Sequence, residues 1–225
     1  MVQTFALAAA FAAFLAGVIG GTGAAQGAAN DAAADRPVTI VALGDSLTAG
    51  LGLPASAAFP AKLAAALTAK GHAVEIVNAG VSGDTASGGL ARLDWSVPEG
   101  TDAVILELGA NDMLRGLDSD ITRRALDETV RRLTERRIPV LLAGMRAIPN
   151  LGIDYVRGFE AIYPEIAAKY DVLFYPFFLD GIAGEARFNQ RDRLHPLAAG
   201  IDVIVAGILP KVEELLIRAR NRRGP

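Results

Sequence analysis

The 225 residues are 52% hydrophobic with a formal net charge of −3. That suits one ordinary α/β domain plus an appendage and offers no cationic footprint for nucleic acid. With no cysteine and only two histidines, His72 and His195, the chain has no disulfide, thiolate nucleophile or cysteine lipid anchor, and a histidine-rich metal centre is disfavoured.

The first thirty residues carry no charged side chain, and Phe5 to Ile19 is an apolar run followed by small residues. This reads as a secretory signal peptide over residues 1–29, cleaved around Gly23 to Ala29, although the usual Lys/Arg n-region is missing. The run is short and weakly hydrophobic for a membrane span. The processed protein is therefore expected to be exported, periplasmic or secreted, with no stable membrane span. A polar linker (30–36), a folded domain (37–217) and a basic tail (218–225) complete the expected division.

Val38 to Leu43 is a continuous apolar, β-branched run ending at Gly44, the pattern of a buried parallel strand. Short runs of the same kind recur at Val74 to Val77, Ala103 to Leu108, Pro139 to Ala143 and Val172 to Tyr175. Helical periodicity fills the gaps. Ala57 to Lys70 places Phe59, Leu63, Ala66 and Leu67 on one side, and Asp118 to Arg137 places Ile121, Leu126, Val130 and Leu133 inward. Tyr155 to Lys169 and Leu197 to Arg220 are the remaining helices. Alternating strands and helices joined by right-handed crossovers imply an α/β, doubly wound, flavodoxin-like fold, with about five parallel strands and helices on both faces. Ligands of such sheets bind beyond the carboxyl ends of the strands.

The first three strands are followed by Gly44-Asp45-Ser46-Leu47, Asn78-Ala79-Gly80-Val81-Ser82-Gly83-Asp84-Thr85 and Gly109-Ala110-Asn111-Asp112, and Asp192-Arg193-Leu194-His195 precedes the last helix. A serine hydroxyl needs an adjacent base, which His195 can supply because an imidazole titrates near ~6.5. Asp192 can accept the other ring N–H and fix the tautomer. Backbone N–H groups of Ser46 and Gly80, with the Asn111 side-chain amide, are candidate donors to a developing oxyanion. After the fourth strand, Met145, Ile148, Pro149, Leu151 and Ile153 show no helical period and suggest an acyl-chain groove, or alternatively a cover for the core.

These four blocks resemble those of the GDSL/SGNH hydrolases, with Ser46, Gly80, Asn111 and His195 standing for the four letters. The runs Ala57-Ala58-Phe59-Pro60, Ser82-Gly83-Asp84-Thr85 and Gly89-Leu90-Ala91-Arg92-Leu93 look most like the periplasmic acyl-CoA thioesterase, lysophospholipase and arylesterase subfamily. The resemblance implies a cofactor-free serine esterase or thioesterase acting on small-molecule or lipid esters through an acyl-serine. Its triad would be Ser46, Asp192 and His195, and its oxyanion hole Ser46, Gly80 and Asn111. Two departures, Ala110 and the loop Ala49-Gly50-Leu51-Gly52, bear on acyl preference.

Other readings stand beside this one. Ser46 could cap a helix, Gly80 could be a turn glycine, and Asn111 could close an Asx motif. Asp45, Asp84 and Asp112 could suit a hard cation, but each has a plainer role as a cap or turn residue, so no metal is expected. Gly50 to Ala55 matches a dinucleotide fingerprint in letters but not in its distance from the first strand. The lipase elbow G-x-S-x-G is absent. A flavodoxin-like binding module without catalysis, or a carbohydrate O-acetylesterase with the same triad, remain the alternatives.

Overall fold

The computed structural model describes residues 36–223, so the signal-peptide segment and most of the linker lie outside the described residues. Five parallel strands form one sheet in the order β2-β1-β3-β4-β5: β1 (Val38–Gly44), β2 (Val74–Gly80), β3 (Ala103–Glu107), β4 (Val140–Ala143) and β5 (Leu173–Tyr175). The aliphatic runs of β1, β3 and β4 become the central strands, where both faces are covered. β2 lies at one edge with Glu75 and Val77 outward, and it continues through Asn78 and Ala79 so that Gly80 pairs with Gly44.

Helices α1 (Ser46–Ala49), α2 (Phe59–Ala69), α3 (Ala86–Ala91), α4 (Leu93–Ser96), α5 (Ala110–Leu114), α6 (Ser119–Glu135), α7 (Ile153–Tyr170) and α8 (Ala198–Arg223) follow in chain order. α2 packs on α8 over one face, and α3, α6 and α7 pack together over the other. The doubly wound architecture expected from the alternation is the one observed.

Three details depart from the periodicity. Asp118 caps α6 by accepting the Asp120 N–H, which sets a phase in which Thr122, Leu126, Val130 and Leu133 face inward while Ile121 stays 39% exposed. Thr122 takes the inward place because its hydroxyl donates to buried Asp112 at 3.0 Å. α7 begins at Ile153, two residues earlier than the pattern suggests, after Gly152 at φ 91°. α8 runs on to Arg223, so the basic residues from Arg218 to Arg223 form its last turns rather than a tail.

Candidate active site

β1 ends at Gly44, where a Cβ would stand 2.1 Å from Thr48 Oγ1 and 2.7 Å from the Glu107 carbonyl oxygen. Only glycine lets the chain turn so sharply into α1. Asp45 caps that helix by accepting the Leu47 N–H at 2.9 Å, and Ser46 follows as its first residue. The Ser46 N–H is thus one of the donors a helix start leaves without an intrahelical partner.

His195 arrives from 149 residues away on the loop before α8. The loop is closed by a bridge between Asn189 and Pro196 and by the Gln190 N–H donating to the His195 carbonyl at 2.7 Å. Nε2 of His195 lies 2.9 Å from Ser46 Oγ, and Nδ1 lies 2.7 Å from Asp192 Oδ2. The other Asp192 oxygen accepts the backbone N–H groups of Leu194 (2.9 Å) and His195 (3.1 Å), so the acid braces the loop that carries the imidazole. The His195 ring, followed by these two N–H groups, holds the Asp192 carboxyl down to about 2, although its side chain is 45% exposed. With the Nδ1 proton on the Asp192 side, Nε2 is free to accept the serine O–H.

Asn111 sits in α5, entered through Gly109 at φ 115°, where a Cβ would stand 2.2 Å from the Tyr163 hydroxyl. Its Nδ2 donates to Asp45 Oδ2 at 3.0 Å and to the Asp84 carbonyl at 2.9 Å. Gly80 is placed differently from the expectation. Its N–H donates to Asn78 Oδ1 at 3.0 Å, and it does not line the cavity beside Ser46. Because β2 runs three residues further than its apolar run, Gly80 is a strand residue. A Cβ there would lie 2.3 Å from Ala49 N, so this glycine is required by the close approach of β2 to α1.

A row of buried acids underlies the nucleophile. Burial raises Asp45 to about 6, against the lowering effect of the Leu47 N–H and the Asn111 amide. Burial, and then the neighbouring Asp45 carboxylate, push Glu107 well above the ordinary carboxyl range. Thr48 Oγ1 donates to its Oε2 at 2.7 Å, while Oε1 has no hydrogen-bond partner among the described residues. Burial also raises Asp112, which accepts the Ala86 N–H at 2.8 Å and the Thr122 hydroxyl. Asp84 pairs with Arg92 at 2.6 Å. Each acid weighed for a cation thus serves as a cap, a strut or an ion-pair partner.

A cavity of about 210 Å³ opens beside Ser46 and His195. Met145 and Ile148 of the expected groove line it, together with Met113, Phe177 and Leu179. Pro149, Leu151 and Ile153 do not: Pro149–Leu151 forms a 3₁₀ turn, Leu151 packs on the core, and Ile153 starts α7 at 72% exposure. The turn and the early helix start carry these three side chains away from the cavity. Phe177 and Leu179 were legible in principle, since they follow β5 at the same sheet edge.

Residues 42–203 match the GDSL-like Lipase/Acylhydrolase family. The chain is 36% identical over 179 residues to Esterase TesA of Pseudomonas aeruginosa, covering 79% of this chain and 89% of that protein. It is 39% identical over 159 residues to thioesterase 1/protease 1/lysophospholipase L1 of Escherichia coli, covering 70% of this chain and 75% of that protein. Among solved structures, AlinE4, an SGNH-hydrolase family esterase, superimposes with a TM-score of 0.68 at 43% identity, over 80% of this chain and 97% of that one. A serine hydroxyl within reach of a braced imidazole, on the sheet of an SGNH hydrolase and with relatives that are esterases, makes this chain a member of the GDSL-like lipase/acylhydrolase family and a serine hydrolase of ester bonds.

Proposed function

We propose that Ser46 is the nucleophile, His195 the general base and acid, and Asp192 the orienting carboxylate in hydrolysis of carboxylic esters and thioesters. The carrying observation is the 2.9 Å contact between Ser46 Oγ and His195 Nε2. Ser46 Oγ attacks the acyl carbon as Nε2 takes its proton, and the alcohol or thiol leaves with that proton. Water, deprotonated by the same nitrogen, then attacks the acyl-serine and frees the acid. The Ser46 N–H and the Asn111 amide stabilise the oxyanion. For the third donor we take the N–H of Gly83, because that of Gly80 is already bonded to Asn78 Oδ1. Gly83, at φ 86°, adjoins Asp84, whose carbonyl already touches the Asn111 amide.

The apolar cavity, lined by Met113, Met145, Ile148, Phe177 and Leu179, takes the acyl chain. At about 210 Å³ it is smaller than the roughly 300–1,000 Å³ of sites that enclose a drug-sized ligand. The leaving group therefore remains outside it, which suits the phenol, thiol and glycerophospho-alcohol leaving groups implied by the relatives' names of arylesterase, thioesterase and lysophospholipase. Export, with cleavage near residue 29, is supported by the uncharged N-terminal run. Among the described residues no helix is long and apolar enough to cross a membrane.

Ser46→Ala is expected to lower p-nitrophenyl octanoate turnover by at least about 10³-fold with an unchanged thermal midpoint, and to abolish labelling by a fluorophosphonate. Retained turnover in a folded Ser46→Ala protein would remove Ser46 from the reaction.

A further inference from the structure

Among the described residues, three that are not glycine have a left-handed backbone: Arg137 (φ 57°), Asp171 (φ 51°) and Arg193 (φ 60°). The first two follow the ends of α6 and α7, where such a conformation terminates a helix. Arg193 ends no helix. It lies between Asp192 and His195, in a turn closed by its own N–H on the Gln190 carbonyl at 2.9 Å. Glycine would occupy that backbone conformation without strain, so an arginine there stands against the local backbone preference.

That side chain lines the cavity beside Ser46, is exposed, and has no ion pair or hydrogen bond among the described residues. Arg146 lines the same cavity. It too is exposed and without an ion pair among the described residues, its guanidinium held 4.9 Å over the Phe177 ring. Two cations without an ion pair among the described residues, against one lining carboxyl, Asp45, that is engaged by the Leu47 N–H and the Asn111 amide, stand out in a chain whose net charge is −3. The one carboxylate in that loop segment, Asp192, is engaged by His195.

We infer that Arg193, with Arg146 as a second cation, selects ester and thioester substrates whose leaving group carries negative charge. The inference rests on the reading of Ser46 and His195 given above. His195 Nε2 must protonate the departing atom, so the leaving group passes on the side of the loop that carries Arg193. The apolar residues take the acyl chain, and the guanidinium attracts the charge that stays in solvent. Charge-assisted contact of this kind strengthens binding of substrate and transition state alike, so it acts on KM more than on kcat.

The test compares substrates that share an acyl chain and differ in leaving-group charge. One pair is octanoyl-coenzyme A and the neutral octanoyl thioester of N-acetylcysteamine; the other is 1-octanoylglycerol 3-phosphate and 1-octanoylglycerol. Arg193→Gly, which relaxes the backbone, is expected to raise KM for the charged member by about fivefold or more at low salt, with kcat within twofold. The neutral member should be unaffected, Arg193→Lys should retain part of the effect, and added salt should erase the difference between wild type and variant. The pair that responds identifies the source of the anion, a nucleotide thiol or a glycerophosphate. Equal KM changes for both members, or no change for either, would overturn the role of Arg193. Failure of wild type to exceed Ser46→Ala on any of the four would instead overturn the hydrolase reading itself.

Discussion

Both hydrogens of the Asn111 side-chain amide are committed to protein acceptors in the resting enzyme, one to Asp45 Oδ2 and one to the Asp84 carbonyl. In the proposed reaction a developing oxyanion must share one of these hydrogens or displace a protein acceptor from it, while the remaining partner holds the amide in place. Asn111→Ala is expected to reduce kcat by about 10²–10³ with little change in KM, because the contact matters most in the transition state. Asn78→Ala makes the complementary case: it frees the Gly80 N–H, yet should leave kcat within about twofold, since Gly80 is held against Ala49 of α1. A kcat change in Asn78→Ala comparable to that of Asn111→Ala would return Gly80 to the oxyanion hole. That Ser46, Asp192, His195 and Asn111 come together was legible because their functional groups have few alternative uses at strand-end and loop positions. Gly80 was not, because a glycine serves backbone approach as readily as it serves a turn.

Arg92 shows what element-level patterns miss. Its guanidinium donates to Asp84 at 2.6 Å and to the Gly44 carbonyl, the Ala79 carbonyl and Ser96 Oγ at 2.9 Å each. One side chain thus ties the carboxyl ends of β1 and β2 to the loop that reaches Asn111. Arg92→Met would leave Asp84, only 18% exposed, without its ion pair. It is expected to lower stability by about 3 kcal/mol, seen as a thermal midpoint reduced by roughly 6–12 °C. Arg92→Lys, which keeps the charge but not the fork, should lie between that variant and wild type. A midpoint within 1 °C of wild type for Arg92→Met would show that the strand ends hold without it. Strands were legible as apolar runs and helices as periodic ones, but their ends were set by distant partners. β2 is lengthened by pairing with Gly44, and α6 is phased by Asp112 drawing Thr122 inward in place of Ile121. No local pattern carries that information.

One buried acid joins the first and last of the described residues, Arg36 and Arg223. Asp102, fully buried, accepts hydrogen bonds from Arg36, from the Thr39 N–H at 2.8 Å and from Arg223 in the last turn of α8. Burial alone would raise its carboxyl, but the bonds from Arg223 and Arg36 outweigh burial and hold it at about 2. A depressed carboxyl stabilises the fold above its unfolded value and loses that contribution as pH falls through the folded one, here between about pH 4 and pH 2. Asp192, also held at about 2, adds an exposed and therefore smaller share in the same window. Asp45 and Glu107 act in the opposite sense. Their raised carboxyls favour the fold in acid, and Asp45 loses that contribution as pH rises from about 4 through about 6. Thermal scans should therefore show the midpoint rising as pH is lowered from 7 towards 5 and falling steeply below 4. Asp102→Asn should lower the midpoint at pH 5 and flatten the acid limb between pH 4 and 2, leaving the limb above pH 5 and the turnover profile as in wild type. An acid limb as steep in Asp102→Asn as in wild type would show that the Arg36–Asp102–Arg223 contact contributes nothing to acid stability, and that other carboxylates set the limit.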